Sequence, residues 1–345
     1  MRRRLGLPFL EWPEVDRRAW ETALTTGAVF DDGGVAMPWR PATRSDAING
    51  YGYWLQFLVD QERGLLQLDP AERATPDHLR GFVDALLSRR SAMGAAAAVG
   101  HLILALRAIA PTRDLAALRT IHSAVQRKAR PKDKRGKLVS AERLIALGMK
   151  LMRQAEHDGV VDNLRAYRDG LLIVLGAARP MRLGNLAGLR VDRHVEIHGD
   201  HVVLNISGDE IKNGKPIECW LPDDLVSFFR RYLHEVRPRL YGATGHQGLW
   251  PSSKGIPLTN AGIYQIITRR TTVEFGHAIH PHLFRDIAAT TLVLARPKEA
   301  LLARDLLNNS DFRMTERHYL HANTVEAGRA YAKLRALRSK QLFQA

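Results

Sequence analysis

The amino-acid sequence predicts a mainly α-helical protein of two domains, the second of which contains a small antiparallel β-sheet. Apolar residues recur at helical spacing through residues 44–127 and again beyond residue 140. Three short runs between residues 195 and 221 have the composition of strands and are separated by turn residues. A basic stretch with proline and glycine divides the two regions, and 345 residues suffice for two domains.

The first region predicts a compact bundle of four helices. The helices are expected at Ser45–Gly64, after Thr75-Pro76, at Ala95–Ala108 and at Asp114–Arg127. Threonine followed by proline is typical of an N-cap and the first helical position. Residues 1–40 hold several prolines and a glycine pair, and we expect them to be irregular.

The stretch between the domains predicts a basic linker over residues 128–138. Eleven residues from Arg127 to Lys137 include seven basic side chains and one acidic one. Such a tether is a solvated linker, and it can also follow a DNA backbone. The basic residues expected to contact DNA are Arg127, Lys128, Arg130, Lys132, Lys134, Arg135 and Lys137.

The second region predicts helices around three short strands. Ser140 can cap its first helix, and Tyr167–Ala178 is apolar enough to be buried. Turn residues Gly199-Asp200 and Asn213-Gly214 separate the strands. The strands are Val195–Ile197, His201–Ile206 and Pro216–Leu221, and the later helices are Asp223–Val236, Asn260–Thr271, His282–Ala295 and Lys298–Leu307.

Composition indicates a polyanionic partner. Lys and Arg number 51 against 36 acidic residues, a formal net charge of +15, and such an excess favours phosphate backbones. The single cysteine, Cys219, excludes a disulfide within the chain and a cysteine-rich zinc site. No apolar run is expected to reach membrane-spanning length, since Ala95–Ala110 is interrupted by polar residues. These features fit a cytoplasmic protein without a signal peptide or membrane contact.

Four local patterns hold residues suited to one phosphate. They are Arg182 in a leucine-rich segment, Lys212 before Asn213-Gly214, His282-Leu283-Phe284-Arg285, and Thr315-Glu316-Arg317-His318-Tyr319. The guanidinium groups of Arg182 and Arg285 could bind both non-bridging oxygens and stabilise the charge that builds on them. Lys212 could protonate a leaving 5′ oxygen, and His282 could donate to the phosphate or accept a proton. The Tyr319 phenol could form a covalent intermediate.

These residues, in this order, resemble the tyrosine recombinase (phage integrase) family. The likeness is strong over residues 139–325 and weak over 44–127. It implies a helical, SAM-like core-binding domain at 41–127, a catalytic domain at 139–322 and a C-terminal helix or tail at 323–345, arranged as a C-shaped clamp. It also implies a 3′-phosphotyrosyl intermediate on double-stranded DNA, no metal or other cofactor, a homo-tetrameric synapse, and accessory or sister recombinase proteins.

The sequence departs from the family pattern at three places. Leu306-Leu307-Asn308-Asn309-Ser310 replaces the usual Leu-Gly-His, so Asn309 is aligned with the late histidine, with Asn308 or Ser310 as alternatives. Asn185 stands where the family has Glu, and Arg179-Pro180-Met181 precedes Arg182. Asparagine can donate a hydrogen bond but cannot carry a proton. The departures predict a slow or partner-dependent enzyme, and the alternative is a DNA-binding protein on this fold that no longer cuts.

Structural roles compete with several of these assignments. Arg179 is a rival of Arg182, and Lys215 of Lys212; Tyr232 and Tyr331 lack the Thr-x-x-x-Tyr context. His277, His280 and His282 reach a metal-ligand count, but Pro281 disturbs their alignment and no acidic or cysteine partner lies nearby, so a metal site is not the favoured interpretation. Cys219 is expected to be a packed, inert residue. A final amphipathic helix, Asn323–Leu334, would dock on a neighbouring protomer.

Overall fold

The structure, a computed structural model, describes residues 4–27, 33–129, 139–157, 159–211 and 213–295. The chain divides into two units, Met1–Asp133 and Lys134–Ala345, and each has its own apolar core. Several predicted features lie outside the described residues. They are Lys212, Asn309, Tyr319, the helix Lys298–Leu307, the tail 323–345 and the basic residues Arg130, Lys132, Lys134, Arg135 and Lys137.

The described part of the first unit is helical. Its helices are α1 (Glu14–Thr22), α2 (Pro41–Gln61), α3 (Pro70–Arg73), α4 (Pro76–Leu87), α5 (Ala92–Ile109) and α6 (Ala116–Lys128). The predicted cap is confirmed: the hydroxyl oxygen of Thr75 accepts from the backbone N–H of His78 at 3.2 Å, and Pro76 is the first residue of α4. Ser91 caps α5 in the same way through the N–H of Gly94.

Helix α5 lies in the core of this unit, where Leu102 and Leu106 are fully buried with Trp54 of α2. Within the described part of the chain it is the one helix whose length and composition would let it cross a membrane. This differs from the expectation that no run reaches that length, because the polar residues within it leave an 18-residue mean hydropathy of 1.7. Half of that window is buried inside the protein, as in core helices that pass the same test.

The expectation that residues 1–40 are irregular is wrong for α1. Trp12 and Trp20 are 3% and 2% exposed, and the Trp12 ring lies 4.9 Å from the ring of Tyr51 on α2. Asp16 on α1 forms a buried ion pair with Arg73, at 2.6 Å. These partners are distant in sequence, so local patterns did not indicate that this segment packs on the bundle.

The described part of the second unit surrounds a small sheet with helices. The helices are α7 (Ala141–Gln154), α8 (Leu164–Ala178), α9 (Leu183–Ala187), α10 (Asp223–Arg231), α11 (Asn260–Phe275) and α12 (Pro281–Ala295). The strands are β1 (Glu156–His157), β2 (Val160–Val161), β3 (Val195–His198), β4 (His201–Ile206) and β5 (Ile217–Trp220). A π-helical segment, Tyr232–Val236, continues α10.

Strands β3, β4 and β5 form the predicted antiparallel sheet in that order. Leu204 of β4 pairs with Val195 on one side and Cys219 on the other. Val202, Leu204 and Ile206 alternate along β4 and belong to the apolar core of this unit, so one face of the sheet packs on the core. The short hairpin of β1 and β2, which was not predicted, precedes α8.

Helix α8 is the central helix of the second unit, buried from Ala166 to Ala177. It crosses α7 at two glycines: a Cβ added to Gly148 would lie 2.5 Å from the carbonyl oxygen of Gly170, and the reverse distance is also 2.5 Å. On another side, the Phe284 ring of α12 lies 3.2 Å from where a Cβ of Gly176 would be. The approach of Phe284 to Gly176 places α12 against α8.

Candidate active site

Arg182 lies at the start of α9, just beyond the end of α8. A tight turn, closed by the N–H of Met181 donating to the carbonyl of Arg179 at 2.7 Å, reverses the chain before it. Arg182 is the N-cap residue, and its carbonyl accepts from the N–H of Leu186 at 3.0 Å. The buried indole of Trp250 donates to the carbonyl of Leu186 at 2.8 Å and so holds α9 in place.

Arg285 lies on α12 and is only 8% exposed. Its Nη1 donates to the carbonyl of Pro180 at 2.6 Å. Because Pro180 is two residues before Arg182, this hydrogen bond joins α12 to the segment that positions Arg182. Residues far apart in the sequence are therefore brought to one place.

The charges of the two arginines interact. Burial, and then the positive charge of Arg182, lower the pKa of the Arg285 guanidinium to about 10. The group remains charged at neutral pH, so the partly desolvated Arg285 lies within the field of a second cation, Arg182. Such a site favours an anion with several oxygens, because a phosphate would neutralise both charges.

Arg179, the rival of Arg182, points its guanidinium elsewhere. Its Nε and Nη2 both donate to the carbonyl of Trp220 on β5, at 3.0 and 2.5 Å. This pair of hydrogen bonds fastens the end of α8 to the sheet. The geometry therefore favours Arg182 as the partner of Arg285.

His282 is exposed in the first turn of α12, three residues before Arg285. Side chains of α11 hold the loop that precedes it. The Tyr264 hydroxyl and His280 Nδ1 are 2.8 Å apart, and their rings stack with an interplanar angle of 10°. The N–H of Ile279 donates to the buried hydroxyl of Thr271 at 3.0 Å. Helix α11 thus sets the position of the His-x-x-Arg segment.

Lys212 lies outside the described residues, whereas the residues on either side of it in the sequence are described. Ile211 is fully buried, and its carbonyl accepts from the N–H of Gly214 at 3.0 Å. Gly214 has φ +71°, which favours glycine. A Cβ on Gly208 would lie 2.3 Å from the carbonyl oxygen of Gly214, so two consecutive turns press together here.

Sequence reasoning missed an acidic hub beside this turn. The carboxylate of Glu210 contacts Nε2 of His194 at 3.1 Å, the hydroxyl of Ser207 at 3.0 Å and Nη2 of Arg193 at 3.2 Å. Burial raises the pKa of Glu210, but these partners outweigh it and hold the pKa below its usual value. The only sequence signal was Glu210 two residues before Lys212, since His194 lies sixteen residues away.

A second missed cluster joins α8 to α11. Asp169 is fully buried, and its Oδ1 accepts from Nη2 of Arg168 at 2.7 Å. Its Oδ2 accepts from Nε of Arg270 on α11 at 2.9 Å, and Arg269 lies 3.5 Å away. Arg269 and Arg270 are adjacent basic residues on a helix. Such residues by themselves indicate contact with solvent or with DNA, so the local sequence could not reveal that their partner is a buried aspartate.

Two of the three histidines considered as a metal site have other contacts. His277 Nδ1 lies 3.0 Å from the carbonyl of Phe275, and His280 pairs with Tyr264. Across the ranges that the structure describes, no group of three or more His, Cys, Asp or Glu side chains is placed to hold a metal ion. Cys219 is free and buried on β5, and burial raises the pKa of its thiol to about 11, as expected for an inert, packed residue.

Two further groups of residues singled out from the sequence are described. Asn185, in the place of the family's glutamate, has a buried Nδ2 without a hydrogen-bond partner among the described residues. Of the predicted DNA-contacting linker residues, Arg127 and Lys128 are described: both are exposed in the last turn of α6. Basic side chains at a helix C-terminus also interact favourably with the helix dipole.

Residues 149–326, just over half of the chain, match the model of the phage integrase family. Tyrosine recombinase XerD of Chlorobaculum tepidum is 26% identical over 150 residues, which are 43% of this chain and 47% of that protein. Tyrosine recombinase XerD of Staphylococcus aureus is 24% identical over 172 residues, 50% of this chain and 56% of that protein. The chain thus spans about half the length of the curated relatives it matches.

The fold is also that of solved recombinases. XerH site-specific recombinase bound to difH substrate, in a pre-cleavage complex, superimposes with a TM-score of 0.55 at 16% identity, covering 83% of this chain and 78% of that one. A post-cleavage complex of XerH with palindromic difH gives a TM-score of 0.54 at 15% identity, covering 83% and 76%. With the family match over more than half of its length, the chain belongs to the phage integrase family of tyrosine recombinases.

Proposed function

We propose that this protein is a site-specific DNA recombinase that cuts and rejoins strands through a 3′-phosphotyrosyl intermediate. The observation that supports it best is the convergence of Arg182 and Arg285, with Arg285 tied to the carbonyl of Pro180 and its pKa lowered by burial and by Arg182. Two adjacent guanidinium groups suit the two non-bridging oxygens of one phosphodiester.

In the proposed reaction the Tyr319 oxygen attacks the scissile phosphorus, and the bond from phosphorus to the 5′ oxygen breaks. Lys212 gives a proton to that leaving oxygen, and His282 either donates to the phosphate or accepts the phenol proton. Arg182 and Arg285 stabilise the charge that builds on the non-bridging oxygens, and Asn309 donates a further hydrogen bond. Rejoining is the reverse reaction with a 5′ hydroxyl, so the bond energy is kept in the protein–DNA ester and no cofactor is required.

The proposed partner is double-stranded DNA, in a cytoplasmic complex of several copies of this chain. The net charge of +15 supports a DNA partner, and the XerH structures were solved bound to difH substrate. We assign residues 41–127 to core binding, 128–138 to a basic linker, 139–322 to catalysis and 323–345 to contact with a neighbouring protomer. Accessory or sister recombinases would complete the assembly.

A covalent-adduct experiment tests the proposal. Duplexes selected from a randomised library by binding to the full chain are prepared with a nick near each candidate cleavage position, so that the cut fragment diffuses away. The protein should accumulate as an SDS-resistant adduct through a 3′ phosphate. Tyr319→Phe should form none, because the ring remains but the nucleophilic oxygen is gone.

Two matched variants serve as controls. Tyr331→Phe removes a phenol from the same part of the chain and should leave adduct formation unchanged. Arg182→Ala should slow it by about 10² to 10³, the cost of losing one donor to a developing oxyanion, whereas Arg179→Ala should cost far less. Equal adduct from Tyr319→Phe and the wild type would refute the assignment.

A second candidate, a DNA-binding protein that no longer cuts, is favoured by two departures from the family pattern. Asn185 replaces a glutamate and has a buried Nδ2 without a partner in the described chain, and Asn309 stands in the place of a histidine. Tight, salt-sensitive binding to the selected duplexes with no adduct on any nicked form would support this candidate over the recombinase.

A further inference from the structure

The imidazole of His194 is held in one tautomer. It is 3% exposed, and its Nδ1 accepts the backbone N–H of Arg190 at 2.9 Å. A nitrogen that accepts cannot bear a proton, so the proton of the neutral ring is on Nε2. Nε2 then donates to both carboxylate oxygens of Glu210, at 3.1 and 3.2 Å.

The backbone also anchors His194 on both sides. Its N–H donates to the carbonyl of Arg190, and its carbonyl accepts from the N–H of Asn205 on β4, each at 3.0 Å. The residue therefore ties the start of β3 to β4 and offers a fixed donor to Glu210. A buried imidazole with a hydrogen bond at each ring nitrogen is a rigid support, because its rotamer and tautomer are both determined.

Glu210 passes this rigidity to the turn that includes Lys212. The N–H of Glu210 donates to Ser207 at 3.2 Å, and the N–H of Ile211 donates to Gly208 at 3.1 Å. Ile211 is then buried in the core, and the next turn closes from Gly214 back to Ile211. Lys212 lies in the sequence between those two residues. Glu210, the carboxylate that His194 holds, is thus two positions before Lys212, the proposed proton donor.

We propose that His194 and Glu210 are a pair of positioning residues that set the turn containing Lys212 so that its ammonium reaches the leaving 5′ oxygen. This inference rests on the proposed function. Neither residue touches the DNA; each acts through the backbone of the turn. Proton transfer is sensitive to placement, and a displacement of about 1 Å can cost on the order of 10² in rate.

The test separates proton donation from every other step by changing the leaving atom. In one duplex the scissile bond is the ordinary one from phosphorus to the 5′ oxygen; in the other, sulfur replaces that oxygen. Attack by Tyr319 expels a 5′ alkoxide in the first, which needs the proton from Lys212. In the second it expels a thiolate, which leaves as a stable anion and needs no proton. The quantity measured is the ratio of single-turnover cleavage rates, sulfur over oxygen.

Glu210→Ala and His194→Ala should each cut the oxygen duplex at least about tenfold more slowly and the sulfur duplex within about threefold of the wild type. Lys212→Ala should show the same selective rescue to a greater extent. The double variant should be no worse than the worse single variant, because the two residues act as a unit. Glu218→Ala, a change at an exposed glutamate of β5, should keep the wild-type ratio.

Misfolding does not obscure the result, since both rates come from one preparation and the inactive fraction cancels in their ratio. Glu210→Gln keeps the size of the side chain and should give an intermediate ratio. Equal losses on both duplexes, or no loss on the oxygen duplex, would overturn the positioning role. A wild-type protein that cuts neither duplex would instead overturn the proposed function, and the positioning role with it.

Discussion

At the scale of single residues, the candidate site brings together groups that repel one another. Burial, and then the charge of Arg182, lower the pKa of Arg285, which means that the charged form of Arg285 is less stable at this place. The hydrogen bond to Pro180 holds Arg285 there despite the repulsion. An oxyanion of tetrahedral shape should therefore bind between the two groups and stabilise the folded protein.

We expect sulfate to raise the melting temperature of the full chain in the absence of DNA. At a sulfate concentration ten times the dissociation constant, binding contributes about 1.4 kcal/mol, or roughly 4 °C for a unit of this size. Arg182→Gln and Arg285→Gln should each lose most of the increase. Differential scanning calorimetry against chloride at equal ionic strength measures it.

Arg179→Gln is the matched control for this measurement, because Arg179 is near in sequence but bonded to Trp220. It should lower the melting temperature in chloride and keep the increase in sulfate. If sulfate stabilised Arg182→Gln and the wild type equally, the anion would be binding elsewhere.

At the scale of elements, α11 links the interior of the second unit to the start of α12. On one side, Arg270 of α11 binds the buried carboxylate of Asp169 on α8. On the other side, Tyr264 and Thr271 of α11 form hydrogen bonds with the loop before His282. A shift of α11 would therefore move the His-x-x-Arg segment. The ion pair at Asp169 therefore helps to fix the helix that holds this segment, although it lies outside the site.

Asp169→Ala should reduce the free energy of unfolding of the second unit by about 3–5 kcal/mol, because it leaves Arg168 and Arg270 near a buried site without their counter-charge. Urea denaturation followed by far-ultraviolet circular dichroism measures the loss. Arg269→Ala is the control: this side chain is 67% exposed and 3.5 Å from Asp169, so its loss should be below about 1 kcal/mol. Similar losses of unfolding free energy in both variants would contradict a stabilising buried ion pair at Asp169.

Elements with local signals could be predicted from the sequence. Thr75-Pro76 starts α4 and Ser140 caps α7, because a cap needs only residues three positions apart. The extent of α11 was underestimated: it continues to Phe275 and ends at Gly276, which has φ +74°. A glycine after a helix is itself a local stop signal, so this boundary was predictable.

Non-local contacts explain what could not be predicted. Helix α1 was missed because Trp12 and Asp16 pack against Tyr51 and Arg73, which no local pattern connects. In the site, Arg182 and Arg285 could be chosen from their motifs, but the choice over Arg179 needed the hydrogen bonds to Trp220. The roles proposed for all six site residues stay predictions: Arg182, Lys212, His282, Arg285, Asn309 and Tyr319.

At the scale of the whole molecule, positive charge is the property that bears on DNA. Arg127 and Lys128 are exposed at the end of α6, whereas Arg4 and Arg18 are paired with Glu11 and Glu14. Cations already paired with carboxylates are less available to displace counterions from DNA. Exposed basic residues near the linker should therefore contribute more to binding.

We expect the double variant Arg127→Gln, Lys128→Gln to weaken DNA binding and to reduce the slope of log K against log salt by about 2, since each phosphate contact contributes about 0.9. Fluorescence anisotropy on a labelled duplex at several salt concentrations measures the slope. The double variant Arg4→Gln, Arg18→Gln should change it by less than half as much. Equal changes of the slope in the two double variants would mean that positive charge contributes to DNA binding regardless of where it lies on the chain.

The crossing of α7 and α8 at Gly148 and Gly170 has a consequence for how this chain can evolve. Any single-nucleotide change in a glycine codon that yields another amino acid adds a Cβ, and each backbone leaves only 2.5 Å for it. Neither position can therefore change to another residue unless the two helices separate, and separation would loosen the interior of the second unit. Both glycines are therefore expected to be conserved among related chains, even where nearby surface positions vary.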